Sequence, residues 1–290
     1  SGTILLMLPW ARAGAGSAPF LDALFTATSA TCVTGLITND TATYWSVFGQ
    51  TVILCLIQVG GLGVITVAIF ITKLSGRKIG LMQRSTMQEA IAAPQMGGIV
   101  RMTGFILKMV VVIEALGAAA LLPAMIPEFG IVRGIWYAVF HSISSFCNAG
   151  FDLMGVKEPY SSLTSYTGDV AVNVIVMVLI VVGGIGFLTW DDVKRNRFHL
   201  RRYRMQSKVV LTVTAVLIVL PAVFFYWKEF GMPGWEDMSV GERILASFFQ
   251  SITTRTAGYN TVDLTQLTQS GQMIMILLML IGGSPGSTAG

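Results

Sequence analysis

Three stretches of this chain share a pattern that suits cation binding by backbone oxygens. Residues 25–36 read Phe-Thr-Ala-Thr-Ser-Ala-Thr-Cys-Val-Thr-Gly-Leu, residues 140–151 read Phe-His-Ser-Ile-Ser-Ser-Phe-Cys-Asn-Ala-Gly-Phe, and residues 248–259 read Phe-Phe-Gln-Ser-Ile-Thr-Thr-Arg-Thr-Ala-Gly-Tyr. In each, a Phe opens a mostly small and polar run, a lone Gly lies ten positions on, and an apolar or aromatic residue follows. Gly supplies the conformational freedom of a tight turn without a Cβ penalty. Rings of backbone carbonyls can replace the hydration shell of a potassium-sized ion. A long apolar segment with a glycine cluster follows each copy: Gly60, Gly61 and Gly63, then Gly183, Gly184 and Gly186, then Gly282, Gly283 and Gly286. The unit is an internal repeat of roughly 110 residues.

The elements that must position these turns belong in a bilayer. Charged residues make up 12% of the chain, where a soluble protein carries about a quarter. Mean hydropathy is +0.70. The apolar runs 51–72, 170–189 and 209–227 are long enough to cross a hydrocarbon core of about 30 Å. Residues 3–10 form an apolar stub too short to span, without the charged n-region of a secretory signal, and the chain stops at Gly290 after a glycine-rich break. Those ends lead us to expect a fragment of a longer protein.

Residues 19–30 are predicted to be helical, with Ser17 and Pro19 as start signals and Asp22 in the first turn, where the helix dipole favours an anion. Twelve residues reach only about 18 Å, half of the membrane, so this helix must dip in and return. Residues 31–36 then form non-helical backbone at membrane depth, tolerated only inside protein or along a watery path. Residues 51–72 cross inward, 73–101 return, and 102–126 cross outward. The plan repeats with half-helix 134–145, turn 146–151, outer loop 152–169, inward helix 170–189 and return loop 191–208. Residues 209–227 lead to a third half-helix opened by a Ser239 and Glu242 capping box. The chain therefore reads as all-α and polytopic, built of helix, re-entrant half-helix and helix, with modules at 1–97, 98–204 and 205–290, the first and third incomplete.

Charge gives a separate check. Lys73, Arg77, Lys78, Arg84 and Arg101 fall in one return loop, and Lys194, Arg195, Arg197, Arg201, Arg202, Arg204 and Lys208 in the other, the mark of a cytoplasmic side. The opposite side holds Asp22, Asp40, Glu128, Asp152, Glu158, Asp169, Glu229, Glu236, Asp237, Glu242 and Asp263. The surplus of cations thus reflects topology and not nucleic-acid binding. Three half-helices ending inside the membrane aim the negative ends of their dipoles at a common centre, which favours a cation there.

Thr-Cys-Val-Thr-Gly35-Leu, Cys-Asn-Ala-Gly150-Phe-Asp and Thr-Thr-Arg-Thr-Ala-Gly258-Tyr-Asn resemble the filter loops of the TrkH/KtrB superfamily of potassium-translocating subunits, closer to the KtrB branch. The residues from Gly282 to Gly290 are similar to that superfamily's loop inside the second helix of the third module. The resemblance implies a pseudo-fourfold pore with three of four modules present, a potassium filter of Val33, Thr34, Gly35, Asn148, Ala149, Gly150, Thr256, Ala257 and Gly258, and filter support from Thr31, Cys32, Cys147 and Arg255. It further implies a homodimer in the cell (inner) membrane, a cytosolic nucleotide-binding regulator of the RCK type, and sodium as coupling ion. In the related plant transporters a serine at the first filter glycine goes with sodium preference, so Gly35 implies potassium.

Arg255 matches Cys32 and Cys147 and is expected behind the filter, neutralising a half-helix end or pairing with a carboxylate. Gly282, Gly283, Ser284, Pro285, Gly286, Ser287, Thr288, Ala289 and Gly290 break an apolar helix at mid-membrane, as a gate or ion site would. The glycines at 60–63 and 183–186 are read as helix contacts. Glu114 is expected to hydrogen-bond between modules and Lys108 to snorkel. Cys32, Cys55 and Cys147 form no metal or disulfide pattern and are expected as small buried residues. The 191–208 loop suits anionic lipid or, as a weaker reading, a regulatory subunit. His141 and His199 are isolated, and no nucleophile elbow, HExxH or P-loop is present, which argues against an enzyme and against a covalently bound cofactor. The competing reading is an alternating-access carrier for a small solute or sodium. Such carriers usually have inverted halves, whereas these modules run in one direction.

Overall fold

The computed structural model describes residues 2–63, 67, 99–197 and 199–289, the first three residues of the 99–197 stretch by backbone alone. Residues 73–98, with Lys73, Arg77, Lys78 and Arg84 of the first return loop, lie outside the described residues, as does Gly290. Helices run in the order α1 (Gly2–Leu6), α2 (Phe20–Thr31), α3 (Thr41–Tyr44), α4 (Val47–Leu62), α5 (Ile99–Phe129), α6 (Ile131–Phe146), α7 (Val170–Gly184), α8 (Phe187–Asn196), α9 (Met205–Phe224), α10 (Val240–Thr253) and α11 (Gln269–Ile281). No strand occurs among the described residues, only an isolated bridge between Arg12 and Trp45.

The half-helices α2, α6 and α10 have 12, 16 and 14 residues, too few to cross a bilayer. Two helices among the described residues are long and apolar enough to cross: residues 102–129 within α5, and α9 with the π turn Phe225–Glu229 that extends it. α10 opens with the predicted capping box, Ser239 Oγ accepting from the Glu242 N–H and Glu242 accepting from the Ser239 N–H at 2.7 Å. α2 starts on Pro19 without a side-chain cap, so Ser17 plays no part.

Two expectations are corrected. The run 170–189 is not one straight span: α7 ends at Gly184, and α8 leaves at 97° after Gly186, whose φ of +88° only Gly adopts readily. Apolar character continues through the bend, so hydropathy hides it. Segment 191–208 is mostly ordered, formed by the end of α8, the 3₁₀ turn Leu200–Arg202 and the start of α9. Asp191 and Asp192 organise it, pairing with Arg195 and Arg204, while Asp192 also accepts from Ser207 Oγ at 2.6 Å.

Packing repeats from module to module. α6 lies chiefly on α5, and α10 on α9. The second helix of each module then touches the next half-helix, α4 against α6 and α7 against α10. One core includes Ile53 and Ile57 of module one, Phe140, Phe146 and Phe151 of module two and Phe249 and Tyr259 of module three, and Phe225, Phe230 and Val262 form a smaller one within module three. A third correction concerns the cysteines: Cys55 and Cys32 are exposed and only Cys147 is buried. Lys108 is likewise exposed.

Candidate functional site

Each half-helix ends by turning left-handed. Val33, Asn148 and Thr256 have φ of +56°, +55° and +62°, and the glycines two residues on have +79°, +70° and +83°. In the first two copies the turn is a complete Schellman motif: Thr34 N–H to Ser29 O at 2.9 Å with Val33 N–H to Ala30 O at 3.3 Å, and Ala149 N–H to Ser144 O at 2.8 Å with Asn148 N–H to Ser145 O at 3.1 Å. The third copy is looser, Ala257 N–H reaching Thr253 O at 2.9 Å. A left-handed β-branched residue is strained by about 1–3 kcal/mol, so Val33 and Thr256 are held there by their surroundings. In a strand successive peptide groups face opposite ways; inverting handedness at every second residue turns them the same way. The glycine alone was legible in the sequence. The strained residue before it was not, because Val and Thr give no signal for positive φ.

The loops meet head to side in a fixed order. A Cβ on Gly35 would lie 2.5 Å from Ala149 O, and a Cβ on Gly150 would lie 2.5 Å from Ala257 O. Residues more than a hundred positions apart thus repeat one apposition, each glycine against the carbonyl of the next loop. A Cβ on Gly258 would have only Gly150 Cα nearby, at 3.5 Å, so that side of the arrangement is open among the described residues. Asn148 Nδ2 also donates to Arg255 O at 3.0 Å, tying the second half-helix end to the third.

Glycine contacts hold these ends in place. A Cβ on Gly60 would meet Thr31 O at 2.1 Å and one on Gly183 would meet Phe146 O at 2.0 Å, so α4 and α7 each receive the last carbonyls of their own module's half-helix. Behind the second loop, Gln58 Nε2 donates to Glu114 Oε2 at 3.2 Å, the intermodule bond expected of Glu114, and Cys147 Sγ lies 4.0 Å from Glu114 Oε1. Arg255 is buried as expected, but its Nε and Nη1 have no partner among the described residues, and no described carboxylate pairs with it.

Residues 282–289 pack against the second module. Ser284 N–H donates to Gly184 O at 3.0 Å, Phe187 N–H to Gly286 O at 2.8 Å, Thr288 Oγ1 to Phe146 O at 2.7 Å and Thr256 Oγ1 to Ala289 O at 3.3 Å. Thr288 is fully buried. The segment therefore closes on the ends of the second and third half-helices. Outside the loops, the Asp152 carboxyl is pushed up to about 6 by burial and by the charge of Asp40, against the opposing Met154 N–H.

The family model described as TrkH, cation transport protein, matches residues 2–290. The chain belongs to the TrkH family. It is 41% identical over 289 residues to the potassium/sodium uptake protein NtpJ of Enterococcus hirae, covering all of this chain and 63% of that protein. It is 39% identical to the Ktr system potassium uptake protein B of Bacillus subtilis, over 99% of this chain and 63% of that one. The corresponding protein of Vibrio alginolyticus is 38% identical, over 93% and 58%. The chain thus spans about three fifths of the length of these curated relatives. The crystal structure of the potassium transporter TrkH from Vibrio parahaemolyticus matches with a TM-score of 0.68 at 18% identity, over 94% of this chain and 52% of that one, which shows the shared fold. This is a family of membrane transporters and not an enzyme class.

Proposed function

We propose that this chain builds the ion path of a potassium uptake protein in the cell (inner) membrane. The observation that carries the reading is the repeated apposition of Gly35 with Ala149 O and of Gly150 with Ala257 O. Carbonyls of Val33, Thr34 and Gly35, of Asn148, Ala149 and Gly150, and of Thr256, Ala257 and Gly258 replace the water shell of potassium, which is the substrate. The converging half-helix C-termini each contribute about half a negative charge. Thr31, Cys32, Cys147 and Arg255 lie behind that path as support. Uptake by relatives named for potassium supports the ion, and the name potassium/sodium uptake protein keeps sodium as a coupling ion. The Ktr system names support a multi-component assembly, with a cytosolic RCK-type regulator and a homodimer of the membrane subunit.

Residues 282–290 act as the gate in this reading. In a bacterium without potassium uptake of its own, the full-length protein is expected to restore growth on low potassium and to carry rubidium. Deleting the gate residues is expected to raise rubidium influx about tenfold or more, a barrier drop of about 1.4 kcal/mol. Unchanged influx in the deletion would remove the gate assignment, and no uptake at all would favour the carrier.

External pH gives a further test. Lowering it from 7 to 5 carries Asp152 from charged to neutral, taking a negative charge from beside the mouth. The potassium KM is expected to rise about two- to threefold, with Asp152→Asn high and flat across that range. A wild-type KM that does not move with pH would show that Asp152 does not serve cation entry.

A further inference from the structure

Outward of Gly150, the backbone of the second loop is tied down at two places. Phe151 O accepts from Ser144 Oγ at 2.7 Å and from the Tyr259 hydroxyl at 3.0 Å. Leu153 N–H donates to His141 Nε2 at 3.2 Å, which leaves His141 Nδ1 to carry the proton it gives Tyr137 O at 2.7 Å. Ser144 and His141 belong to the same half-helix as the loop they hold. Tyr259 alone of these comes from the next module, and it occupies the place held by Leu36 and Phe151 in the other copies. Neither of those has a hydroxyl.

We propose that Tyr259 is a positioning residue for ion selection: its hydroxyl, given across the module boundary to Phe151 O, keeps that carbonyl out of the ion path and fixes where the second loop's filter oxygens end. The proposal rests on the uptake reading above. Tyr259 is 1% exposed, and a buried phenol needs a partner for its O–H. Its backbone is itself fastened, because Tyr259 O accepts from Thr253 Oγ1. With two donors on it, Phe151 O has both lone pairs occupied and cannot turn toward a passing cation. With one donor gone, a lone pair beside Gly150 is free to join the ligand set. An oxygen of that kind is mobile and adapts to a smaller ion, so discrimination between potassium and sodium is what it erodes.

The test is Tyr259→Phe in the full-length protein, which keeps the ring and removes the hydroxyl. The ratio of sodium to potassium KM is expected to fall about fivefold, the worth of one hydrogen bond, with maximal potassium influx within about twofold of wild type. A role in packing alone would change the amount of protein or its maximal influx and leave the ratio in place. An unchanged ratio with intact influx overturns the proposal. Should Tyr259→Phe not reach the membrane, Ser144→Ala removes the other donor to the same carbonyl, and an unchanged ratio there overturns it equally. A wild type that carries no potassium would instead sink the uptake reading beneath it.

Discussion

Gly150→Ser is expected to abolish potassium uptake while the protein still reaches the membrane. Two costs add at this position. The residue sits at φ +70°, a conformation that costs an L residue about 1–2 kcal/mol. Its new Cβ would also meet Ala257 O at 2.5 Å and Gly258 Cα at 3.2 Å, both backbone atoms of the neighbouring loop. No side-chain rotation relieves that contact, so the neighbouring carbonyl itself must move. Rubidium influx is expected to fall more than about a hundredfold, which takes only about 2.7 kcal/mol at the barrier. Gly35→Ser should behave alike, since its Cβ would meet Ala149 O at the same 2.5 Å.

The control for this experiment is Gly130→Ala. Gly130 has φ +79° and caps the start of α6, yet a Cβ there would meet nothing within 4 Å. That variant isolates backbone strain from the clash and is expected to keep influx within about twofold, at a stability cost of about 1–3 kcal/mol. If Gly130→Ala were as damaging as Gly150→Ser, strain and not the carbonyl arrangement would account for both.

Features that depend on neighbours in sequence could be read before the fold was seen. The half-helix expected at residues 134–145 is α6 at Ile131–Phe146, and the Ser239 and Glu242 capping box forms as its spacing requires. Repetition exposed the glycines at Gly35, Gly150 and Gly258, because a residue type recurring at one spacing needs no partner to be noticed. The bend after Gly184 escaped, since apolar residues run through it and only the two flanking helices show the turn. Arg255 was expected to neutralise a half-helix end or to pair with a carboxylate; of the two, the carboxylate is not found among the described residues, since a pairing inferred from frequency depends on which module surrounds the side chain. The Tyr259 hydroxyl reaches a carbonyl 108 positions away, and no local pattern encodes a contact of that separation. The same holds for Thr288 and Phe146 O, 142 positions apart.

Gly183→Ala and Gly184→Ala separate the intrinsic effect of a glycine from the effect of what approaches it. Both residues lie in the last turn of α7, and Ala in place of Gly gains a helix up to about 1 kcal/mol of propensity. Propensity therefore raises the stability of both variants. A Cβ on Gly184 would have only Asn148 Nδ2 nearby, at 3.5 Å, an ordinary contact. A Cβ on Gly183 would lie 2.0 Å from Phe146 O, 2.6 Å from Thr288 Oγ1 and 2.9 Å from Asn148 Oδ1. Relief at Gly183 requires α7 to retreat from the end of α6, which carries the second loop and the 282–289 segment with it. Overpacking of this kind costs about 1–3 kcal/mol even where side chains can adjust, and here one of the atoms struck is backbone. Gly183→Ala is expected to lose most of its monodisperse protein on size-exclusion chromatography after detergent extraction, and nearly all rubidium influx. Gly184→Ala is expected to keep both. Gly60→Ala, whose Cβ would meet Thr31 O at 2.1 Å, should match Gly183→Ala, because the same apposition anchors the first half-helix. Equal behaviour of the Gly183 and Gly184 variants would mean that the half-helix ends are not held by backbone contact with the second helix of their module.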